Sequence, residues 1–139
     1  RVAMQLRNCP EWVMFDQAAL SLGLVTVPLY TDDRPDNIAY ILKEADVNVL
    51  LVQDAGRWRK LAGVVGQEGP LKRVLLLEDS DAARRLAADD ERVRVVDAWL
   101  PSHAASLTRR SGADPGALAS IVYTSGTTGR PKGVMLSHS

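Results

Sequence analysis

The sequence has few of the residues that form disulfide scaffolds, metal sites or membrane spans. Cys9 is the only cysteine, which excludes an internal disulfide framework. His103 and His138 are the only histidines, and neither has a cysteine pair beside it, so a zinc site is not expected. No apolar run approaches the roughly 20 residues of a membrane-spanning helix, and the first residues do not form a signal peptide. We therefore expect a reduced, cytoplasmic protein.

Neither charge nor aromatic content stands out in this chain. Lys plus Arg and Asp plus Glu are balanced at 17 each, which gives no electrostatic reason to expect a nucleic-acid partner. Aromatic residues make up only 5% of the chain, whereas 46% of its residues are hydrophobic, so the core is expected to be mainly aliphatic. The composition agrees with a soluble α/β protein.

Apolar runs and amphipathic segments alternate along the chain, which predicts parallel strands covered by helices. Strands are predicted at residues 2–6, 24–29, 47–52, 74–77 and 93–96. Helices are predicted at residues 10–22 and 81–90. Two further helices are predicted between them, one capped by Asp32 or Asp33 and one that contains Trp58 and Leu61. Residues 99–117 are rich in proline and glycine and are expected to form a surface connection.

The first predicted helix is apolar on nearly all sides, with Trp12, Val13, Met14 and Phe15 in sequence. Such a helix is expected to be buried on more than one side. We interpret its aromatic residues as core, although a groove for an acyl chain is an alternative.

The segment from Tyr123 to Gly133 has the strongest chemical pattern in the sequence. It lies between two short apolar runs, residues 119–123 and 134–136, which predict a strand entering and a strand leaving it. Its glycines allow backbone N–H groups to close on an anion, its hydroxyls add donors and its lysine adds positive charge. The pattern predicts a site that binds the phosphates of a nucleotide. The alternative is a surface hairpin with no ligand.

The P-loop pattern does not fit this segment. Counted from Gly126, that pattern would require a second glycine where Pro131 stands. Lys132 is followed by Gly133 and not by a hydroxyl residue. The chain then returns to an apolar β-like run, so no helix N-terminus is expected to receive a phosphate. A hairpin of another kind is therefore predicted.

Residues 124–133, with the sequence TSGTTGRPKG, resemble the AMP-binding signature of the adenylate-forming superfamily. Residues 1–52 are similar to the N-terminal region of long-chain fatty-acyl-CoA synthetases, mainly through NCPEW at 8–12 and TVPLY at 26–30. The resemblance implies that residues 1–139 form part of a large N-terminal α/β domain ending in a phosphate-binding β-hairpin. Members of the superfamily are several-fold longer, so we expect this chain to be a fragment.

The resemblance also implies substrates and site residues. The substrates are ATP, a carboxylic acid and coenzyme A, with Mg²⁺ as the metal. Lys132 is the candidate catalytic residue because its charge would act on the phosphates, and Thr124 is the candidate ligand of Mg²⁺. Arg130 is expected to face solvent. The residues implied to bind the nucleotide are Thr124, Ser125, Gly126, Thr127, Thr128, Gly129 and Lys132.

The implied reaction activates a carboxylic acid, and a long-chain fatty acid is favoured by the first fifty or so residues. An aryl-CoA ligase, a peptide-synthetase adenylation domain and a non-catalytic ATP-binding remnant are the alternatives. His138 and Cys9 are interpreted as structural. Contact of a parent enzyme with a membrane surface would use segments outside this sequence.

Overall fold

The computed structural model describes residues 1–100, 114–125 and 129–139. The predicted connection at residues 99–117 therefore lies largely outside the described residues. In chain order the elements are β1 (Val2–Gln5), α1 (Pro10–Ser21), β2 (Thr26–Pro28), α2 (Pro35–Glu44), β3 (Val49–Val52), α3 (Ala55–Val65), β4 (Arg73–Leu76), α4 (Asp81–Asp89), β5 (Val93–Val95), α5 (Val96–Trp99), β6 (Leu118–Ser125) and β7 (Pro131–Ser137).

The strands form one seven-stranded sheet in the order β5-β4-β3-β1-β2-β6-β7. All neighbouring strands are parallel except β6 and β7, which form an antiparallel hairpin at one edge. The predicted alternation of parallel strands and helices is confirmed. Since β1, β2 and β6 are adjacent and parallel, their carboxyl ends meet at the same edge of the sheet, where ligands of open α/β sheets bind.

One face of the sheet contains the main core. Successive strand residues point to opposite faces, so Leu50 and Val52 of β3 face this core whereas Leu51 between them does not. Helices α2, α3 and α4 cover this face, and the hairpin contributes Ile121 and Tyr123 to the same core. The core residues of α2 and its C-cap are Ile38, Ile41, Leu42 and Ala45, at the spacing of one helical face.

The other face is covered less completely, and here the predicted burial of α1 is wrong. Trp12 and Phe15 pack on the small cluster of Leu6, Leu51 and Leu75. Val13 and Met14 are 55% and 68% exposed, and Ala19 is the only residue of α1 that is fully buried. The reason is that, within the described residues, α1 lies on one face of the sheet and no second layer covers its outer side.

The cap of α2 also differs from the prediction. The residue at the N-cap is Arg34, and its side chain makes no capping hydrogen bond. Asp33 lies one position earlier, where its carboxylate accepts hydrogen bonds from the Arg34 N–H and from the Asn37 amide, both at 2.8 Å. These two hydrogen bonds order the start of the helix. Pro35 at the first helical position has no N–H, so no capping side chain is needed for it.

No helix among the described residues is long and apolar enough to cross a membrane.

Candidate functional site

The hairpin places several predicted site residues opposite one another. Thr124 pairs with Lys132 across β6 and β7, and Ser125 pairs with Pro131 at the end of the ladder. Paired residues of an antiparallel ladder share a face of the sheet, so Thr124 and Lys132 project from the same side. Gly129 follows the loop with φ of 89°, a conformation that glycine adopts without strain. Gly126, Thr127 and Thr128 lie outside the described residues.

A pocket of about 440 Å³ lies next to the hairpin, at the carboxyl ends of β2 and β6. Thr124 and Ser125 form part of its wall, and the segment between β2 and α2 forms the opposite wall. The lining residues of that segment and of α2 are Tyr30, Thr31, Asp32, Asp33 and Asn37. The two hydroxyls that the sequence predicts to act on a nucleotide thus border a pocket at the ligand-binding edge of the sheet.

The pocket does not contain a complete metal site. Among the described residues, no group of three or more His, Cys, Asp or Glu side chains could hold a metal ion. Asp32 and Asp33 line the wall opposite Thr124, and Asp33 is already engaged by the Arg34 N–H and by Asn37. A divalent ion bound beside Thr124 would therefore need oxygen ligands from its substrate or from groups outside the described residues.

A carboxylate on α2, that of Glu44, is hydrogen-bonded to β6 of the hairpin. The Tyr123 hydroxyl donates a hydrogen bond of 2.7 Å to one oxygen of Glu44, and the Tyr40 hydroxyl donates one of 3.0 Å to the other oxygen. Burial of the ring, together with the hydrogen bond to Glu44, raises the pKa of Tyr123 well above its usual value. The phenol is therefore protonated and acts as a donor at neutral pH.

Arg130, directly before β7, contacts the same helix. The Arg130 guanidinium lies over the Tyr40 ring, 4.9 Å from its centroid, which is within the range of a cation–π interaction. Arg130 is exposed, as the sequence predicts, but one face of its guanidinium rests on a specific partner.

A profile of the family described as AMP-binding enzyme matches residues 1–139, the whole of the sequence. The chain belongs to the AMP-binding enzyme family.

Curated relatives within this family include two fatty-acid ligases. The chain is 32% identical to long-chain-fatty-acid–CoA ligase 6 of Mus musculus over an alignment of 145 positions, which covers 99% of this chain and 20% of that protein. It is 34% identical to long-chain-fatty-acid–CoA ligase FadD15 of Mycobacterium bovis over 133 residues, covering 93% of this chain and 20% of that protein. The chain thus spans about a fifth of the length of these relatives.

Solved structures share the fold. The crystal structure of the anthranilate CoA ligase AuaEII, in complex with anthranoyl-AMP, superposes with a TM-score of 0.83 at 23% identity, over 99% of this chain and 24% of that one. At this identity the likeness shows the fold alone. It confirms the predicted α/β architecture of an AMP-binding enzyme.

Sequence reasoning did not identify Glu44 and Tyr40 as neighbours of the AMP-binding signature. Both lie on α2, and Glu44 is 79 positions from Tyr123, the hairpin residue whose hydroxyl it accepts from. The only local signal is their spacing of four residues, which places two side chains on one helical face and is usual for a solvated surface.

The two residues interpreted as structural lie away from the pocket. The backbone N–H of His138 donates to the carbonyl of Ala117 at 3.3 Å, after the end of β7. Cys9 is half-buried and packs against the cluster of Leu6, Leu51 and Leu75 on the face that α1 covers. Neither side chain lines the pocket beside Thr124.

Proposed function

We propose that this chain is the part of an acid–thiol ligase that binds the phosphates of ATP, and that the substrate acid is a long-chain fatty acid. The observation that carries the proposal is that Thr124 and Ser125 line the 440 Å³ pocket at the carboxyl edge of the sheet. Lys132 is not among the lining residues, but it pairs with Thr124 across the hairpin. Residues 1–139 would then form part of the N-terminal AMP-binding domain of a longer enzyme.

The proposed reaction has two steps. A carboxylate oxygen attacks the α-phosphorus of ATP while the bond from that phosphorus to the bridging oxygen breaks, and pyrophosphate leaves. The thiol of coenzyme A then attacks the acyl carbon of the adenylate, and AMP leaves with the electron pair of the broken bond. Because the first step brings an anion to a polyanion, the enzyme has to stabilise the phosphate charge and orient the reactants.

The residues of this chain act on the phosphate end of ATP. In the proposal, Ser125, Thr127 and Thr128 donate hydrogen bonds to phosphate oxygens, and the N–H groups near Gly126 and Gly129 add further donors. Hydrogen bonds to charged groups of this kind contribute about 1.5–3 kcal/mol each. Lys132 adds a positive charge that favours pyrophosphate as it leaves.

Mg²⁺ would neutralise phosphate charge in this site, and Thr124 is the residue of this chain that we assign to it. A hydroxyl whose direction is fixed by a strand ladder suits a metal that requires near-ideal octahedral geometry. The remaining ligands would be phosphate oxygens, water and a carboxylate from beyond residue 139.

The fatty-acyl branch is supported by the identity to the two long-chain ligases. An aryl-CoA ligase, a peptide-synthetase adenylation domain and a non-catalytic ATP-binding remnant are the alternatives. The small-molecule partners are therefore proposed as ATP, a carboxylic acid and coenzyme A, and the location as cytoplasmic, with any membrane contact outside these residues.

The test is acid-dependent exchange of labelled pyrophosphate into ATP by the full-length protein. Acids of increasing chain length, aromatic acids and amino acids are assayed in parallel, followed by thioester formation with coenzyme A. The proposal expects exchange that requires Mg²⁺ and is fastest with long-chain fatty acids. Exchange with only aromatic acids or only amino acids would show that the substrate is not a long-chain fatty acid. No exchange with any acid would favour the non-catalytic remnant.

A further inference from the structure

The hairpin that carries the AMP-binding signature is connected to α2 on both sides of its loop. Tyr123 lies one residue before Thr124, and Arg130 lies one residue after Gly129. Both side chains end on a pair of residues from α2, Tyr40 and Glu44. We propose that Tyr40 and Glu44 are positioning residues that hold Tyr123 and Arg130, and with them the adjoining ends of β6 and β7, in place for phosphate binding. This proposal rests on the proposed binding of ATP phosphates by the hairpin.

The contacts form one continuous chain of interactions. The Arg130 guanidinium lies on the Tyr40 ring, the Tyr40 hydroxyl donates to Glu44, and Glu44 accepts from Tyr123. Both carboxylate oxygens of Glu44 are used, each by a different phenol. Hydrogen bonding to the carboxylate increases the electron density of the Tyr40 ring, which strengthens its attraction for a cation. The two ends of the loop are therefore coupled through Glu44.

The helix itself does not require this pair for its packing. The buried face of α2 consists of Ile38, Ile41 and Leu42, which are at most 2% exposed. Tyr40 is only partly buried and packs at the margin of the core, and Glu44 is exposed. An exposed carboxylate that accepts two hydrogen bonds contributes little to holding α2 on the sheet. The Glu44 carboxylate instead fixes the position of Tyr123 in the hairpin.

Hairpin ends that are already held in place would bind phosphates at a lower entropic cost than ends that are fixed only when ATP arrives. Loss of the contacts should therefore raise the KM for ATP while leaving the KM for the acid unchanged. Because a few side chains would have to be ordered on binding, we expect the KM for ATP to rise on the order of tenfold.

The experiment uses the full-length protein and a graded set of variants. Tyr40→Phe keeps the ring under Arg130 but removes the hydrogen bond to Glu44, Tyr40→Leu removes both contacts, and Glu44→Gln removes the charge. Lys43→Gln is the control, because it changes one charge on the same turn of α2 and touches neither side of the hairpin. For each variant, pyrophosphate exchange gives the KM for ATP and for the acid, and amide hydrogen exchange gives the protection of residues 121–135.

The expected result is a KM for ATP that rises in the order Tyr40→Phe, then Tyr40→Leu, with Glu44→Gln also raised and Lys43→Gln unchanged. Amide protection of residues 121–135 should fall in the same order without ATP present. Unchanged amide protection in Tyr40→Leu and Glu44→Gln would overturn the proposal, and so would equal increases in both KM values. If wild type shows no exchange with any acid, the proposed function fails, while the amide protection still decides whether α2 positions the hairpin.

Discussion

Gly133 lies opposite Tyr123 in the hairpin, and the space beside it is filled by the neighbouring strand. A Cβ atom at Gly133 would lie 2.9 Å from Cγ2 of Ile121 and 3.0 Å from Cζ of the Tyr123 ring. Heavy atoms do not approach so closely without displacement, and Cγ2 of Ile121 has no flexible chain on which to move away. The glycine thus allows the Tyr123 ring to lie flat across the hairpin and to reach Glu44.

Gly133→Ala is expected to lower the free energy of unfolding by about 1–3 kcal/mol, the usual cost of overpacking. The displaced ring would also lengthen the 2.7 Å hydrogen bond between Tyr123 and Glu44. Urea denaturation measures the first effect. Gly63→Ala in α3 is the matched control, because a Cβ there meets nothing within 4 Å. The control should stabilise the protein by up to about 1 kcal/mol through helix propensity. Equal effects at both positions would show that the close approach at Gly133 is not significant.

Lys132→Ala in the full-length enzyme should slow pyrophosphate exchange and leave the affinity for the acid nearly unchanged. The reason is that the lysine charge would act on the phosphates as negative charge shifts toward the leaving group. A decrease on the order of tenfold to a hundredfold corresponds to the loss of one charge-assisted contact. Lys72→Ala, on an exposed loop before β4, is the control for the loss of a positive charge. Wild-type exchange kinetics in Lys132→Ala would exclude this residue from the phosphate site.

The sequence was informative about burial and less so about hydrogen bonding. The apolar run at residues 47–52 predicts Val47 as part of β3, and Val47 is indeed completely buried, yet its N–H donates to the carbonyl of Leu42 in the turn after α2. Leu24 likewise bonds to Ala19 at the end of α1 and not to a neighbouring strand. Apolar patterns indicate which residues avoid water, but a strand begins only where its partner strand lies alongside.

The strand that leaves the loop, β7, is longer than its apolar run predicts, because strand pairing extends beyond the apolar residues. The prediction used the apolar run at residues 134–136, whereas β7 extends over Pro131–Ser137 and includes Lys132. Exposed polar residues continue the ladder because β6 supplies the hydrogen-bonding partners. The motif itself could be predicted, because its residue types and spacing are local. The contacts of Glu44 could not, because a polar residue on a helix gives no sign of a partner 79 positions away.

The cap of α3 provides a test of local stability that is independent of the site. Asp54 is the N-cap, and its carboxylate accepts a hydrogen bond of 2.8 Å from the backbone N–H of Arg57. Asp54→Ala should lower the free energy of unfolding by about 1 kcal/mol, whereas Asp54→Asn keeps an acceptor and should be nearly neutral. Urea denaturation of the two variants provides the comparison. A loss of the same size in Asp54→Asn would show that the charge, and not the capping hydrogen bond, provides the stability.

The 139-residue chain alone is expected to lack adenylation activity. Its pocket and hairpin would bind the phosphate end of ATP, while the groups for adenine, ribose and the acid are proposed to lie beyond it. The measurement is AMP release by the purified chain with ATP, Mg²⁺ and a panel of carboxylic acids, compared with the full-length enzyme. Turnover by the chain alone would contradict this assignment.

Thr124 and Ser125 are adjacent hydroxyls, and we expect them to act differently. Both are paired in the ladder, Thr124 with Lys132 and Ser125 with Pro131, and neighbouring strand residues point to opposite faces, so the two hydroxyls lie on opposite sides of the hairpin. A fixed hydroxyl suits Mg²⁺, which requires ligands at about 2.0–2.1 Å in octahedral geometry. Thr124→Val in the full-length enzyme should therefore raise the Mg²⁺ concentration needed for adenylate formation. Ser125→Ala should raise the KM for ATP or pyrophosphate instead. Titration of Mg²⁺ at saturating ATP distinguishes the two variants. If both retain the wild-type Mg²⁺ dependence, the metal is held by groups outside this chain, and Thr124 serves only as a residue of the β6–β7 ladder.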